Sequence, residues 1–134
     1  MSRALRSSTS YFDELWCKLD AGTEGYFQRV DGTRLPLRKI LDNLLSVARG
    51  RPIVLQSLFL SLEGAGPSAA EIEAYAGRIR QILDGGGRID RVQVYTVARR
   101  PADARVGALP DERLEWIAAR VRAEGVRVEV YGAA

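Results

Sequence analysis

Apolar residues recur along this chain with two periods. Residues 12–19, 52–60, 89–98 and 126–131 carry strand-like runs, whereas 35–48, 68–83 and 111–124 repeat apolar positions at the three-to-four-residue spacing of a helix. In the first helical segment Leu37, Ile40, Leu41, Leu44 and Ala48 share a stripe. In the second Ile72, Tyr75, Ala76, Ile79, Ile82 and Leu83 do, and in the third Leu114, Ile117, Ala118 and Val121. Residues 21–30 predict a further short helical turn carrying Tyr26, Phe27 and Val30. Punctuation agrees with these limits. Gly50 and Pro52 separate the first long helix from the next strand, Ser68 with Glu71 forms a capping box, and Gly85, Gly86 and Gly87 stop the second helix. Residues 52–60 are nearly all apolar, as in a strand covered on both faces, while 126–131 alternate and leave one wetter face.

The order β-α-β-α-β-α-β predicts right-handed crossovers and a parallel α/β sheet, in one domain over 12–134 behind a polar lead at 1–11. Periodicity leaves open whether that sheet is an open one or part of a barrel. Parallel α/β sheets bind ligands at the carboxyl ends of their strands, so polar residues within the apolar strands are the candidates for chemistry. These are Lys18 and Asp20 on the first strand, Gln56 on the second, and Gln93 and Tyr95 on the third, with Arg99 following at the same edge. Residues two apart on a strand share a face, which pairs Lys18 with Asp20 and Gln93 with Tyr95. The plainer reading of each stands beside this one: a salt bridge at the sheet edge, core amides bonded to backbone, a core aromatic with its hydroxyl at the rim, and solvated arginines.

Composition narrows the choices. The chain has 134 residues, 46% of them hydrophobic and 28% charged, proportions usual for a globular domain with a real core. No apolar run approaches the roughly 18–20 residues of a membrane span, and the basic lead has no apolar centre of a secretory signal. The net charge of +3 is spread along the chain among acids, without basic runs interleaved with aromatics, which argues against nucleic-acid binding by this chain alone. With no histidine, a Ser-His or Cys-His relay and a His-ligated metal are excluded. The single cysteine, Cys17, falls on the face opposite Lys18 and reads as a small buried hydrophobe; one thiol rules out an internal disulfide and fits a reducing cytoplasm.

Three segments together resemble the later half of a radical S-adenosylmethionine barrel of the broad Fe–S oxidoreductase type related to tRNA wybutosine synthesis proteins. They are Asp13-Glu-Leu-Trp-Cys-Lys-Leu-Asp-Ala-Gly-Thr23, Ile53-Val-Leu-Gln-Ser-Leu-Phe-Leu60 and Val92-Gln-Val-Tyr-Thr-Val-Ala-Arg-Arg-Pro101. Residues 109–117 and 126–131 are similar to that family's last helix and strand, so the resemblance spans about 12–132. It implies the carboxyl-terminal half of a partial TIM-type barrel. By it, Asp20, Gln56, Tyr95 and Arg99 would contact S-adenosylmethionine, with Lys18 and Gln93 toward the substrate; no catalytic residue is assigned. Arg100, where similar sequences often have proline, is the other candidate for the arginine's role.

The resemblance also implies a 4Fe–4S cluster held by a Cys-x3-Cys-x2-Cys loop, which this sequence lacks; no metal ligand is assigned here, and one cysteine cannot supply three thiolates. The expectation is therefore a truncated or split product, inactive without a cysteine-bearing amino-terminal half. The alternatives are a non-catalytic binding or assembly module, and a small enzyme using Lys18 and Asp20 as an acid–base pair. A half-barrel would also expose an apolar concave face and an unpaired strand edge, predicting a homodimer or a complex with a separate amino-terminal half.

Overall fold

The computed structural model describes residues 14–32, 34–98 and 103–133. Ten elements follow one another: β1 (Leu15–Lys18), α1 (Glu24–Asp31), α2 (Leu37–Gly50), β2 (Ile53–Leu58), β3 (Leu60–Leu62), α3 (Ala69–Asp84), β4 (Ile89–Tyr95), β5 (Val106–Ala108), α4 (Asp111–Arg122) and β6 (Val128–Tyr131). The main sheet is parallel throughout, in the order β1-β2-β4-β6. Every step across it goes the same way. Right-handed crossovers that never reverse direction put all their helices on one face, so the parallel α/β sheet expected from the sequence is singly wound.

The core lies between the sheet and this helix layer. Leu15, Cys17, Ile53, Leu55, Val92, Val94, Val128 and Val130 point into it from the strands, and Leu44, Tyr75, Ile79, Leu114, Ile117 and Val121 meet them from the helices. Each large aliphatic side chain withdrawn from water there contributes about 1.5–3 kcal/mol. The predicted helical stripes coincide with this buried set, and Ile40, Leu41 and Leu83 pack at its margin. Tyr75 packs edge-on against Phe59 at 5.1 Å and donates its hydroxyl to Ser57, which accounts for a polar residue at full burial in β2. Ion pairs of Arg120 with Glu73 and of Arg80 with Glu124 tie α3 to α4 and the turn just after it.

Three expectations change. Residues 99–110, read as loop, contain β5, which pairs antiparallel with β3 to make a hairpin-like ribbon beyond the main sheet. Three-residue strands are too short to show a period, and Phe59 between β2 and β3 disguises the break. The capping box at Ser68 is half formed. The Ser68 hydroxyl accepts from the Glu71 amide at 3.0 Å, but the Glu71 carboxylate turns away to the β1–α1 loop. Finally, the face opposite the helices is not apolar. It carries Trp16, Lys18, Gln56, Arg91, Gln93, Tyr95, Glu129 and Tyr131, with Leu58 and a fully buried Val54 between them, and none of these joins the core cluster under the helices. The apolar run of β2 is thus covered by helices on one side only, and among the described residues no helix packs on the other.

Candidate functional site

The polar residues of this open face fall into register. Lys18 pairs with Gln56, Gln56 with Gln93, and Gln93 with Glu129, a single row across all four strands. Side-chain bonds follow the row: Gln56 Nε2 donates to Gln93 Oε1 at 3.3 Å, and Gln93 Nε2 donates to Glu129 Oε1 at 2.9 Å. Arg91 and Tyr131 also donate to Glu129, at 3.2 and 3.0 Å. The bonds from Gln93 and then Tyr131 hold the Glu129 carboxyl below the usual range. Arg91 reaches on to Glu14 at 3.0 Å and lies over the Trp16 ring.

At the carboxyl end of β1, Lys18 Nζ is 3.4 Å from Asp20 Oδ2 and 5.7 Å from the centre of the Tyr95 ring. Partial burial would lower the Lys18 pKa, but the Tyr95 hydroxyl and the Asp20 carboxylate outweigh it and leave the ammonium above its ordinary value. Asp20 is 6% exposed and accepts the Leu58 amide at 2.8 Å. Its carboxylate thus has two partners in place, as a buried charge requires.

The loop carrying Asp20 is fixed from below. Glu71 accepts the Gly22 amide and, at 2.7 Å, the Thr23 hydroxyl, while Arg78 donates to the Gly22 carbonyl at 2.9 Å. A Cβ on Gly22 would stand 2.1 Å from the Tyr75 amide nitrogen, so only glycine allows the loop to lie on the first turns of α3.

Asp31, absent from the sequence-based candidates, joins this group. It ends α1 and hydrogen-bonds Asp20; burial first, and the neighbouring Asp20 charge second, push its carboxyl up to about 6. Lys18, Asp20 and Asp31 line a cleft of about 460 Å³ whose remaining wall includes Phe27, Ile40 and Leu58. Asp31 is itself exposed and stands one helical turn after Phe27, the buried residue of α1, so its sequence position alone gave no signal. A second cleft, of about 650 Å³, lies between the β3–β5 ribbon and α4 and is lined by none of the sequence-predicted residues.

Of those residues, Lys18, Asp20, Gln56, Gln93 and Tyr95 come together at one face and edge. Arg99 and its alternative Arg100 lie outside the described residues. The bland and functional readings of Lys18 and Asp20 coexist, since the pair does form a salt bridge at the sheet edge. Neither glutamine is a core amide bonded to backbone: the two bond each other and Glu129.

A singly wound parallel sheet with a polar face and a cleft at its strand ends defines a class, the partial TIM-like α/β fold. No protein-family pattern and no curated protein matches the sequence. Solved structures do match the fold. One is a radical SAM methyltransferase from Sphaerobacter thermophilus, with a TM-score of 0.61 and 19% identity over 88% of this chain. Another is a domain of pyruvate-formate lyase-activating enzyme from Bacteroides vulgatus, with a TM-score of 0.66 and 14% identity over 98% of this chain. The chain spans 33% of the first structure and 75% of the second. At such identities the likeness establishes the fold alone, a partial TIM-like α/β arrangement shared with parts of these two structures.

The residues present do not fit an iron–sulfur cluster. Cys17 faces the helix layer, half-buried against the core, and burial pushes its thiol pKa up, away from the thiolate that binds iron. Among the described residues no three His, Cys, Asp or Glu side chains gather as a metal-binding group, and no helix is long and apolar enough to cross a membrane.

Proposed function

We propose that this chain is a radical SAM-related ligand-binding unit, its open face forming part of the wall of a site for S-adenosylmethionine and a substrate. The observation that carries this reading is the polar row, in register from Lys18 to Glu129 and ending beside the Asp20 cleft. In a radical SAM-like fold this is the face and the edge where a ligand belongs. The donor set suits the cofactor. Asp20 and Glu129 are anionic partners for a sulfonium or ammonium group, Lys18 for a carboxylate, Gln56 and Gln93 for ribose hydroxyls, and Tyr95 offers a ring and a hydroxyl. Arg99, by the family resemblance, belongs with Asp20, Gln56 and Tyr95 on the cofactor side, and Lys18 and Gln93 on the substrate side.

Reductive chemistry does not follow from these side chains, because the chain lacks the ligands for a cluster. Its own residues bind and orient; electron supply would belong to a cysteine-bearing partner in the cytoplasm. The mutual bonding of Gln56, Gln93 and Glu129 favours one second reading, a non-catalytic binding or assembly module, because a fully bonded row leaves few free donors.

Titration calorimetry with S-adenosylmethionine and S-adenosylhomocysteine separates the two. The ligand reading expects saturable binding that weakens about tenfold or more in Asp20→Asn, in line with loss of a charge-assisted bond. Absence of binding to the folded protein would leave the assembly reading.

A further inference from the structure

We propose that the open face is closed by a second copy of this chain, the two four-stranded sheets joining edge to edge into one eight-stranded parallel barrel. The proposal rests on the ligand-wall reading only for its consequence, that each site inside the barrel draws side chains from both copies.

Strand direction carries the first part of the argument. β1 and β6 are the two edges of the sheet, and both run the same way. A twofold axis along the strands brings β6 of each copy beside β1 of the other, parallel at both seams. One operation removes all four edges, and the assembly closes instead of growing into a filament. Eight is also the strand number at which side chains just fill a parallel barrel.

The edge side chains carry the second part. Trp16 on β1 and Tyr131 on β6 are 46% and 50% exposed, among the few large hydrophobic side chains left to solvent, and both lie on the open face. Opposite charges stand in one register row at the two edges, Lys18 with a 54% exposed side chain on β1 and Glu129 with a 44% exposed one on β6, while Glu14 and Arg127, opposite again, directly precede the same two strands. Every seam of the closed pair therefore brings Lys18 of one copy toward Glu129 of the other. Within the face, Lys18 and Arg91 balance Glu14 and Glu129, which suits a second copy better than a strongly charged partner.

The test is the mass of the whole chain in solution by analytical ultracentrifugation, at tens of micromolar. The expected species is a dimer of the 14.8 kDa chain. Lys18→Glu and Glu129→Lys should each associate about tenfold more weakly, because each creates like charges at both seams. An equal mixture of the two variants should dimerise again, since the mixed pair has opposite charges at both. A monomeric parent chain, variants that associate as the parent does, or a mixture that stays monomeric would each overturn the proposal.

Circular dichroism establishes that the variants are folded. Should either fail to fold, a Cys17→Ser chain carrying Lys18→Cys and Glu129→Cys, the two edge positions of one register row, replaces them. Oxidation is expected to yield covalent dimers, and persistence of uncross-linked chains would overturn the seam. Dimerisation without S-adenosylmethionine binding would sink the ligand reading alone.

Discussion

Asp31 is the carboxyl group among the described residues that is pushed above its ordinary range. Its carboxyl is pushed up to about 6, first by the desolvation of the carboxyl against its neighbours and then by the Asp20 charge, although the residue as a whole is exposed. A raised carboxyl pKa means that the folded chain holds the proton more tightly than the unfolded one. Stability from this group is therefore fully present at low pH and is lost as pH rises from about 4 through about 6. Urea titrations at several pH values should show that decline, and Asp31→Asn should flatten it and leave the protein no less stable at neutral pH. The opposite slope would mean that Asp31 is ionised in the fold. Lys18, Gln56, Gln93 and Tyr95 were legible in the sequence because each interrupts an apolar strand, and Asp20, expected on the first strand, lies instead in the loop just past its end. Asp31 and Glu71 were not, because an acid on a helix reads as solvated until its partner from another element is known.

Among the elements, the β1–α1 loop and α3 make a close contact, with no room for a Cβ at Gly22. It joins segments nearly fifty residues apart through Gly22, Glu71, Thr23 and Arg78. Gly22→Ala should cost about 2–3 kcal/mol in denaturant unfolding, since its methyl would meet backbone that cannot turn aside. A change of only a few tenths would show that the loop has room to lift from α3. The long helices and the four parallel strands could be read from periodicity, because each spans enough residues to show its period. β3 and β5 could not: a three-residue strand exists through its partner, and that pairing joins residues more than forty positions apart. The turn after β3 does have a local signature in Glu63 and Gly64, both at positive φ.

For the molecule as a whole, one continuous core joins every long helix to the main sheet, and separate folding units are not expected. The two tryptophans report from opposite layers, Trp16 on the open face of β1 and Trp116 on α4. Fluorescence-detected urea unfolding of Trp16→Phe and Trp116→Phe, each reporting the other ring, should yield transitions that coincide once their stability difference is allowed for. A broad or double transition in either would show that the layers separate. The apolar pattern of the strands announced which face the helices would cover, but said less of the other. Polar side chains on a face are noise to a periodicity argument, whereas the register that aligns Lys18, Gln56, Gln93 and Glu129 is a property of the folded sheet alone.

The one-way march of the chain across its sheet has a further consequence for how such a protein can change over generations. In a doubly wound sheet the chain starts near the middle, and added units must be routed around what is already there. Here each strand-and-helix step is laid beside the last, like courses of brick, and both margins stay accessible to the next. Duplication, loss or fusion of a step at either margin alters the width of the sheet without rerouting any loop within it. The short end strands, four residues each, are where such joins cost least. A fold of this kind can lengthen or shorten its gene in whole steps and keep the same packed interior.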